Sequence, residues 1–195
     1  MKSGKQGGTR ELRIIGGTNR GRKLRFPEGV AIRPTPDRVR ETLFNWLQPM
    51  IHGARCLDLF AGSGALGLEA LSRGASRAVF VDANREALAA IRATADQFDA
   101  QGAECVQADA LAFLKSPGGP FDVVFLDPPF DTGLLEGAMK RLANSGCLAE
   151  NAYIYVELPR TSTLPALPAG WHPHRDGKAG EVGYHLFRHQ SASLT

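Results

Sequence analysis

The chain is poor in cysteine and aromatic residues and has no long apolar run. Its three thiols, Cys56, Cys105 and Cys147, are odd in number and far apart, with no Cys or His beside them at metal-ligand spacing. That argues against a disulfide framework and a zinc site and leaves three buried, inert thiols as the expectation. No apolar stretch approaches the roughly 18 residues of a membrane helix, and residues 1–20 lack the apolar core of a signal peptide. The expected compartment is the cytoplasm, with no membrane partner. The five histidines form no cluster, no Ser-His-Asp or Cys-His arrangement is visible, and no metal is expected. His172, His174, His185 and His189 lie in or beside the last strand candidates, where their alternation suggests exposed edge positions.

What is present is ordinary in amount and uneven in placement. A length of 195 residues, 43% hydrophobic, suits one domain with a real core. Residues 1–40 hold 11 of the 23 Lys and Arg but 3 of the 20 Asp and Glu, a net +8 against −5 for the remainder. A basic arm on a mildly acidic body suits a polyanion, although a solvated terminus has the same composition. Three regions are expected: a disordered basic tail over 1–10, a basic β-hairpin over 11–32, and one large domain over 33–195. The hairpin strands, Leu12 to Ile15 and Lys23 to Phe26, flank a Gly-rich turn and would display Arg13, Arg20, Arg22, Lys23 and Arg25. Two strands do not fold alone, so this unit must lean on the main domain.

A helix is expected near 33–47, with Thr35 as N-cap, Pro36 in the first turn and Val39, Leu43, Trp46 and Leu47 as its buried stripe. Arg38 and Arg40 are left for the rim. From Arg55 to Asp127, strand candidates (Cys56 to Phe60, Ala78 to Val81, Glu104 to Gln107, Asp122 to Leu126) alternate with helices (Ala65 to Arg73, Arg85 to Phe98). Such alternation predicts an α/β fold with a parallel, doubly wound sheet. A further helix, Leu134 to Leu142, a strand, Tyr153 to Glu157, and an antiparallel pair around Trp171 to Arg175 and Tyr184 to Phe187 close the sheet's edge.

Candidate chemistry sits at the strand ends. Asp127-Pro128-Pro129-Phe130 follows the apolar run Val123 to Leu126, and ligands of open α/β sheets bind at such tips. Asp127 and the Pro128 carbonyl can accept hydrogen bonds, Pro128 and Pro129 fix the backbone, and Phe130 offers a flat face. Together they match a planar ring bearing an NH2 group, although a Pro-terminated turn reads the same way. Upstream, Leu57 to Gly67 runs from a strand through Gly62-Ser63-Gly64 into a helix, a spacing that also suits a dinucleotide. Asp58 suits an ammonium, Asp82 can grip ribose hydroxyls, and Asp109 can accept from an adenine amino group. Asp58 and Thr35 are equally suited to local capping.

Leu57 to Gly67, Asp82, Asp109 and Asp127 to Phe130 together resemble the amino-methylating class I S-adenosylmethionine-dependent methyltransferases. Arg33-Pro34-Thr35 and the stretch Asp37 to Leu47 resemble the RsmD-type small-subunit ribosomal RNA guanine-N2 methyltransferases, over nearly all the chain beyond the first ten residues. The resemblance implies a Rossmann-like fold with a mostly parallel seven-stranded sheet and an antiparallel edge. It implies S-adenosylmethionine contacts at Thr35, Asp58, Phe60, Gly62, Ser63, Gly64, Asp82, Ala83, Asp109, Ala110 and Asp127, and catalysis by Asp127, Pro128, Pro129 and Phe130. It also implies RNA contacts at Arg13, Arg20, Arg22, Lys23, Arg25 and Arg38, with 16S RNA or an assembling 30S particle as partner of a monomer. Related tetrapeptides serve adenine-N6 and protein-glutamine methyltransferases, and a non-catalytic nucleotide-binding or RNA-binding module is the reading from outside enzymology.

Overall fold

The computed structural model describes residues 8–28, 32–130 and 133–191. Strands β1 (Thr9–Arg13) and β2 (Lys23–Pro27) pair antiparallel as a separate two-stranded sheet, with Leu12 opposite Leu24. The first strand thus starts earlier than expected: Thr9 and Arg10 belong to the hairpin rather than to a tail, and residues 1–7 lie outside the described part. Ile15 leaves the ladder because its N–H, with that of Gly16, donates to the carboxylate of Glu69, at 2.9 and 2.8 Å.

The main sheet takes in β3 (Arg55–Asp58), β4 (Arg77–Asp82), β5 (Ala103–Gln107), β6 (Phe121–Leu126), β7 (Leu148–Pro159), β8 (Trp171–Ala179) and β9 (Val182–His189) in the order β5-β4-β3-β6-β7-β9-β8. The first five strands are parallel, and β9 pairs antiparallel with both β7 and β8. Period-2 alternation decides what covers each face. Cys56, Ala78, Phe80, Val123 and Phe125 face a core shared with α1 (Asp37–Ile51), α2 (Ala65–Ser72), α3 (Arg85–Gln97) and the hairpin's Leu24 and Phe26. Leu57, Val79, Val81, Val124 and Leu126 face the other core, filled by Ala110 and Leu114 of α4 (Ala110–Phe113) and its C-cap and by Ala138, Met139 and Leu142 of α5 (Leu134–Asn144).

Several expectations change. Thr35 is not the cap of α1: Pro36 holds that position and no side chain caps the helix. The apolar stripe includes Phe44 in place of Trp46, which is half-buried against Tyr184 with ring centroids 5.5 Å apart. Arg40 is fully buried, whereas Arg38 is exposed. The two terminal nitrogens of Arg40 are met there by Asp37, by the Arg13 carbonyl at 3.0 Å and by Glu69 at 3.5 Å, while its buried Nε has no hydrogen-bond partner among the described residues. His185 and His189 are not at an edge, because β9 lies inside the sheet. Cys105 is half-exposed on the edge strand β5, while Cys56 and Cys147 are buried.

The hairpin is held by polar groups of α2. Glu69, itself fully buried, accepts from Ile15, Gly16 and the Nε of Arg73, and the Ser72 hydroxyl accepts from Asn19 N–H and donates to the Gly16 carbonyl. Arg22 closes the far side, stacked over Phe98 at 4.4 Å and bonded to the Gln97 carbonyl. Glu69→Ala leaves two backbone donors and the buried Arg40 without their acceptor, so it should cost about 3 kcal/mol or more. A lowered urea midpoint, with protease cleavage gained first within residues 14–22, checks this; an unchanged midpoint refutes it.

Candidate active site

The parallel strands reverse their direction of succession between β3 and β6, and a cavity of about 510 Å³ opens at their C-terminal ends. Its walls bring together residues far apart in the chain: Arg33 to Thr35, Asp58 to Ser63, Asp82, Ala83, Asp109, Ala110, Asp127 to Phe130, and Glu157. The Asp127 tetrapeptide, Phe60 and Thr35 therefore share one space with the glycine turn, as the sequence pattern implied. Gly64 is the exception. It does not line the cavity, and a Cβ there would lie 2.7 Å from Ile91, so this glycine serves the packing of α3 on the turn. Gly67 acts likewise, since a Cβ would lie 2.3 Å from the Phe80 ring and push α2 off the sheet.

The turn is tied to both neighbouring strands. Ala61 N–H donates to the Val81 carbonyl at 2.9 Å and Leu59 N–H to that of Phe125 at 3.2 Å. Asp82 receives the N–H of Gly62 at 2.9 Å and that of Asn84 at 2.8 Å, so it shapes the turn as well as facing the cavity. Asp109 caps α4, accepting from Ala112 N–H at 2.9 Å. Asp58 accepts from Gly67 N–H at 3.1 Å. Phe130 stands beside Arg33, whose guanidinium carbon lies 5.0 Å from the ring centroid.

Three carboxyls converge in the cavity. Asp58 is 2% exposed, and burial, opposed by the Gly67 bond and reinforced by the charge of Asp82, pushes its pKa up to about 8. Asp127 is held well above the usual carboxylate range by burial and by the charges of Glu157 and Asp58, against the pull of Thr35 and Arg33. Burial also raises Glu157, which is 3% exposed and bonded to Thr35 and Tyr155. The sequence reading missed Glu157. The signal was there: an acid at the end of the apolar run Tyr153 to Val156 follows the same pattern as Asp82 and Asp127. Among the described residues no group of three His, Cys, Asp or Glu is arranged to hold a metal.

The expected RNA-contacting residues all lie away from this cavity. Arg13, Arg20, Arg22, Lys23 and Arg25 lie on the hairpin and Arg38 on the first turn of α1. Arg22 is engaged by Phe98 and Gln97, Lys23 by Glu11 at 3.0 Å, and Arg13 by the Gly21 carbonyl at 3.0 Å. The guanidinium groups of Arg20, Arg25 and Arg38 form no ion pair among the described residues.

A glycine turn between β3 and α2, an acid at the tip of β4, and an Asp-Pro-Pro-Phe at the tip of β6, within this strand order, define a Rossmann-like class I methyltransferase. The solved structure of the Escherichia coli protein yhhF matches with a TM-score of 0.85 at 47% identity, over 92% of this chain and 98% of that one. A Thermus thermophilus methyltransferase, RsmC, matches with a TM-score of 0.66 at 20% identity, over 94% of this chain and 50% of that one, a likeness of fold alone. The chain belongs to the family described as Conserved hypothetical protein 95, whose profile matches residues 12–188. It is 47% identical to the ribosomal RNA small subunit methyltransferase D of Escherichia coli K12, over 98% of this chain and 96% of that protein. The protein of that name from Haemophilus influenzae is 43% identical, over 91% and 94%.

The pKa of Asp58 has a consequence for stability. The folded chain keeps this proton up to about pH 8, whereas the unfolded chain releases it near 3.8. Between these values the folded state binds more protons, so its stability falls as pH rises and levels off above about 8. Asp127 and Glu157 add to that slope with the same sign. Asp58→Asn, which keeps an acceptor for Gly67, should make the urea midpoint fall less steeply from pH 4 to pH 8 than in the parent. Identical slopes in the two proteins refute the assignment.

Proposed function

We propose that this protein transfers a methyl group from S-adenosylmethionine to the exocyclic N2 amine of a guanine in small-subunit ribosomal RNA, in the cytoplasm during assembly of the 30S particle. The observation that carries the reading is the placement of Asp127, Pro128 and Phe130 in the same cavity as the glycine turn and Asp82. The names borne by full-length relatives at 43–47% identity support ribosomal RNA as the substrate class.

The residues present suit the cofactor. A cavity of about 510 Å³ is of the size that takes drug-sized ligands. Asp58, buried and short of a positive partner, suits an ammonium; Asp82 suits ribose hydroxyls, and Asp109 with Phe60, Ala83 and Ala110 suits an adenine. Ser63 and Gly62 line the cavity at the turn. When bound, S-adenosylmethionine supplies an electrophilic methyl carbon on a sulfonium.

The chain's own contribution is to orient a weak nucleophile. An arylamine lone pair is delocalised into its ring, and holding both amino hydrogens favours the tetrahedral nitrogen that can attack. Asp127 accepts one hydrogen and the Pro128 carbonyl the other, and Phe130 stacks on a base that must be unpaired or flipped out to enter. Positive charge grows on the nitrogen during attack, so the Asp127 carboxylate helps the transition state more than the ground state.

Tritiated methyl transfer should label 16S RNA in 30S particles from cells lacking this protein, and nucleoside analysis should find N2-methylguanosine. Asp127→Ala should lower kcat by about 10² or more with S-adenosylmethionine affinity retained. Label confined to DNA or to a protein glutamine would overturn the substrate, and full activity in Asp127→Ala would overturn the role of the tetrapeptide.

The basic hairpin is the proposed RNA contact. Arg22 and Lys23 are tied within the protein, so reversing them confounds binding with folding; Arg20 and Arg25 are the cleaner probes. Arg20→Glu with Arg25→Glu should weaken RNA binding and lower the log–log salt slope by about 0.9 or less per lost phosphate contact. Unchanged binding would assign these charges to solubility.

A further inference from the structure

The hydroxyl of Thr35 stands between two carboxyls contributed by different strands. Its Oγ1 lies 2.9 Å from Oε2 of Glu157 and 3.4 Å from Oδ2 of Asp127, and the Tyr155 hydroxyl donates to the same Oε2 at 3.0 Å. These are three contacts, and the two hydroxyls bring two protons. The tyrosine proton serves one contact, and the single threonine proton can point at one carboxyl only. The remaining contact closes when one carboxyl carries a hydrogen and donates it to Thr35.

The surroundings favour that extra proton. Asp58 places a third carboxyl in the same cavity from the end of β3, and Asp82 lies beyond it at the end of β4. Arg33, on the segment before α1, is the positive group facing the pair, and Tyr184 of β9 faces Tyr155 from the sheet side. Two neighbouring carboxyls in such a setting ionise one at a time. Glu157 takes both short hydroxyl contacts, from Thr35 and Tyr155, whereas Asp127 has only the 3.4 Å contact among the described residues, so a charge is better held on Glu157.

We propose that Asp127 and Glu157 share one proton beside the Thr35 hydroxyl, with Glu157 the charged member and Asp127 neutral in the free protein, so that Asp127 becomes the carboxylate that meets the substrate amine only once this proton has left to solvent. The chain of donors then runs from Asp127 Oδ2 to Thr35 to Glu157 Oε2, which also accepts from Tyr155. Glu157 and Thr35 are positioning residues, acting through Asp127. This rests on the reading that Asp127 holds the amine.

The pair has a signature that packing alone does not produce. In carbon-13 carboxyl NMR of the whole protein without substrate, the two groups should titrate in two separate steps, one far above the ordinary carboxylate range. In Glu157→Gln the high step should vanish and Asp127 should titrate at a lower pH, with no negative neighbour. Thr35→Val should bring the two steps closer together. In methyl transfer, Glu157→Gln should keep kcat at pH 7 within about tenfold, because the amide oxygen can still accept from Thr35, whereas Glu157→Leu should lose at least about tenfold more. The acid limb of the kcat–pH profile should move to lower pH in Glu157→Gln.

Ordinary, independent titration of both carboxyls, or acid limbs that coincide in the parent and Glu157→Gln, would overturn the proposal. So would a Glu157→Gln protein that melts and binds S-adenosylmethionine normally yet is inactive at every pH. The NMR arm does not depend on the acceptor. If RNA is not methylated but the two steps appear, the substrate reading fails and the shared proton stands; the reverse outcome separates them equally well.

Discussion

The structure depends on one topological constraint, the reversal of strand succession between β3 and β6. Parallel neighbours whose connecting segments leave in opposite directions cannot be covered at their shared C-terminal end, so the sheet is open there. Asp58, Asp127 and Glu157 come from β3, from the residue after β6, and from β7, three strands adjacent in space. Everything chemical in the molecule follows from that adjacency. The same fold with strands in sequence order would leave these acids scattered.

Gathering three acids in a partly dry cavity has an electrostatic cost that the protein meets in two ways. It leaves Asp58 as a group that keeps its proton up to about pH 8, so its charge is withheld from the cavity. It ties the other two to hydroxyls and to Arg33, so their charge is limited and directed. The burial that keeps protons on these acids is also what makes the folded state lose stability as pH rises.

The basic hairpin is related to the site through rigid parts rather than through direct contact with the cavity. Glu69 and Ser72 on α2 hold its turn, α2 starts at the glycine turn, and the segment from Ile32 to Thr35 that follows the hairpin lies in the cavity wall. A polyanion held by the hairpin would be positioned relative to Asp127 by this frame. Arg22, by composition a member of the cationic surface, is used as a joint on Phe98.

Much was legible in the chain itself. Alternating apolar runs and glycine turns foretold the parallel sheet, its helices and its antiparallel edge, because those patterns are local consequences of the 2.0- and 3.6-residue periods. An acid directly after an apolar run marked Asp82 and Asp127 at strand tips, and the Asp-Pro-Pro-Phe marked the chemistry. The same local rule misjudged Thr35, Arg40 and Gly64. Thr35 has the composition of a cap, but its partner Glu157 is 122 residues away; Arg40 has the composition of a surface residue, but Glu69 and the Arg13 carbonyl receive it inside; Gly64 looks like part of a ligand loop, but Ile91 fills the space beside it. What the sequence by itself determined was the kind of element and the end of each strand where chemistry can sit. Only tertiary structure decided which polar groups share a proton, a charge or a cavity, because those energies depend on distances between strands that no nearby residues encode.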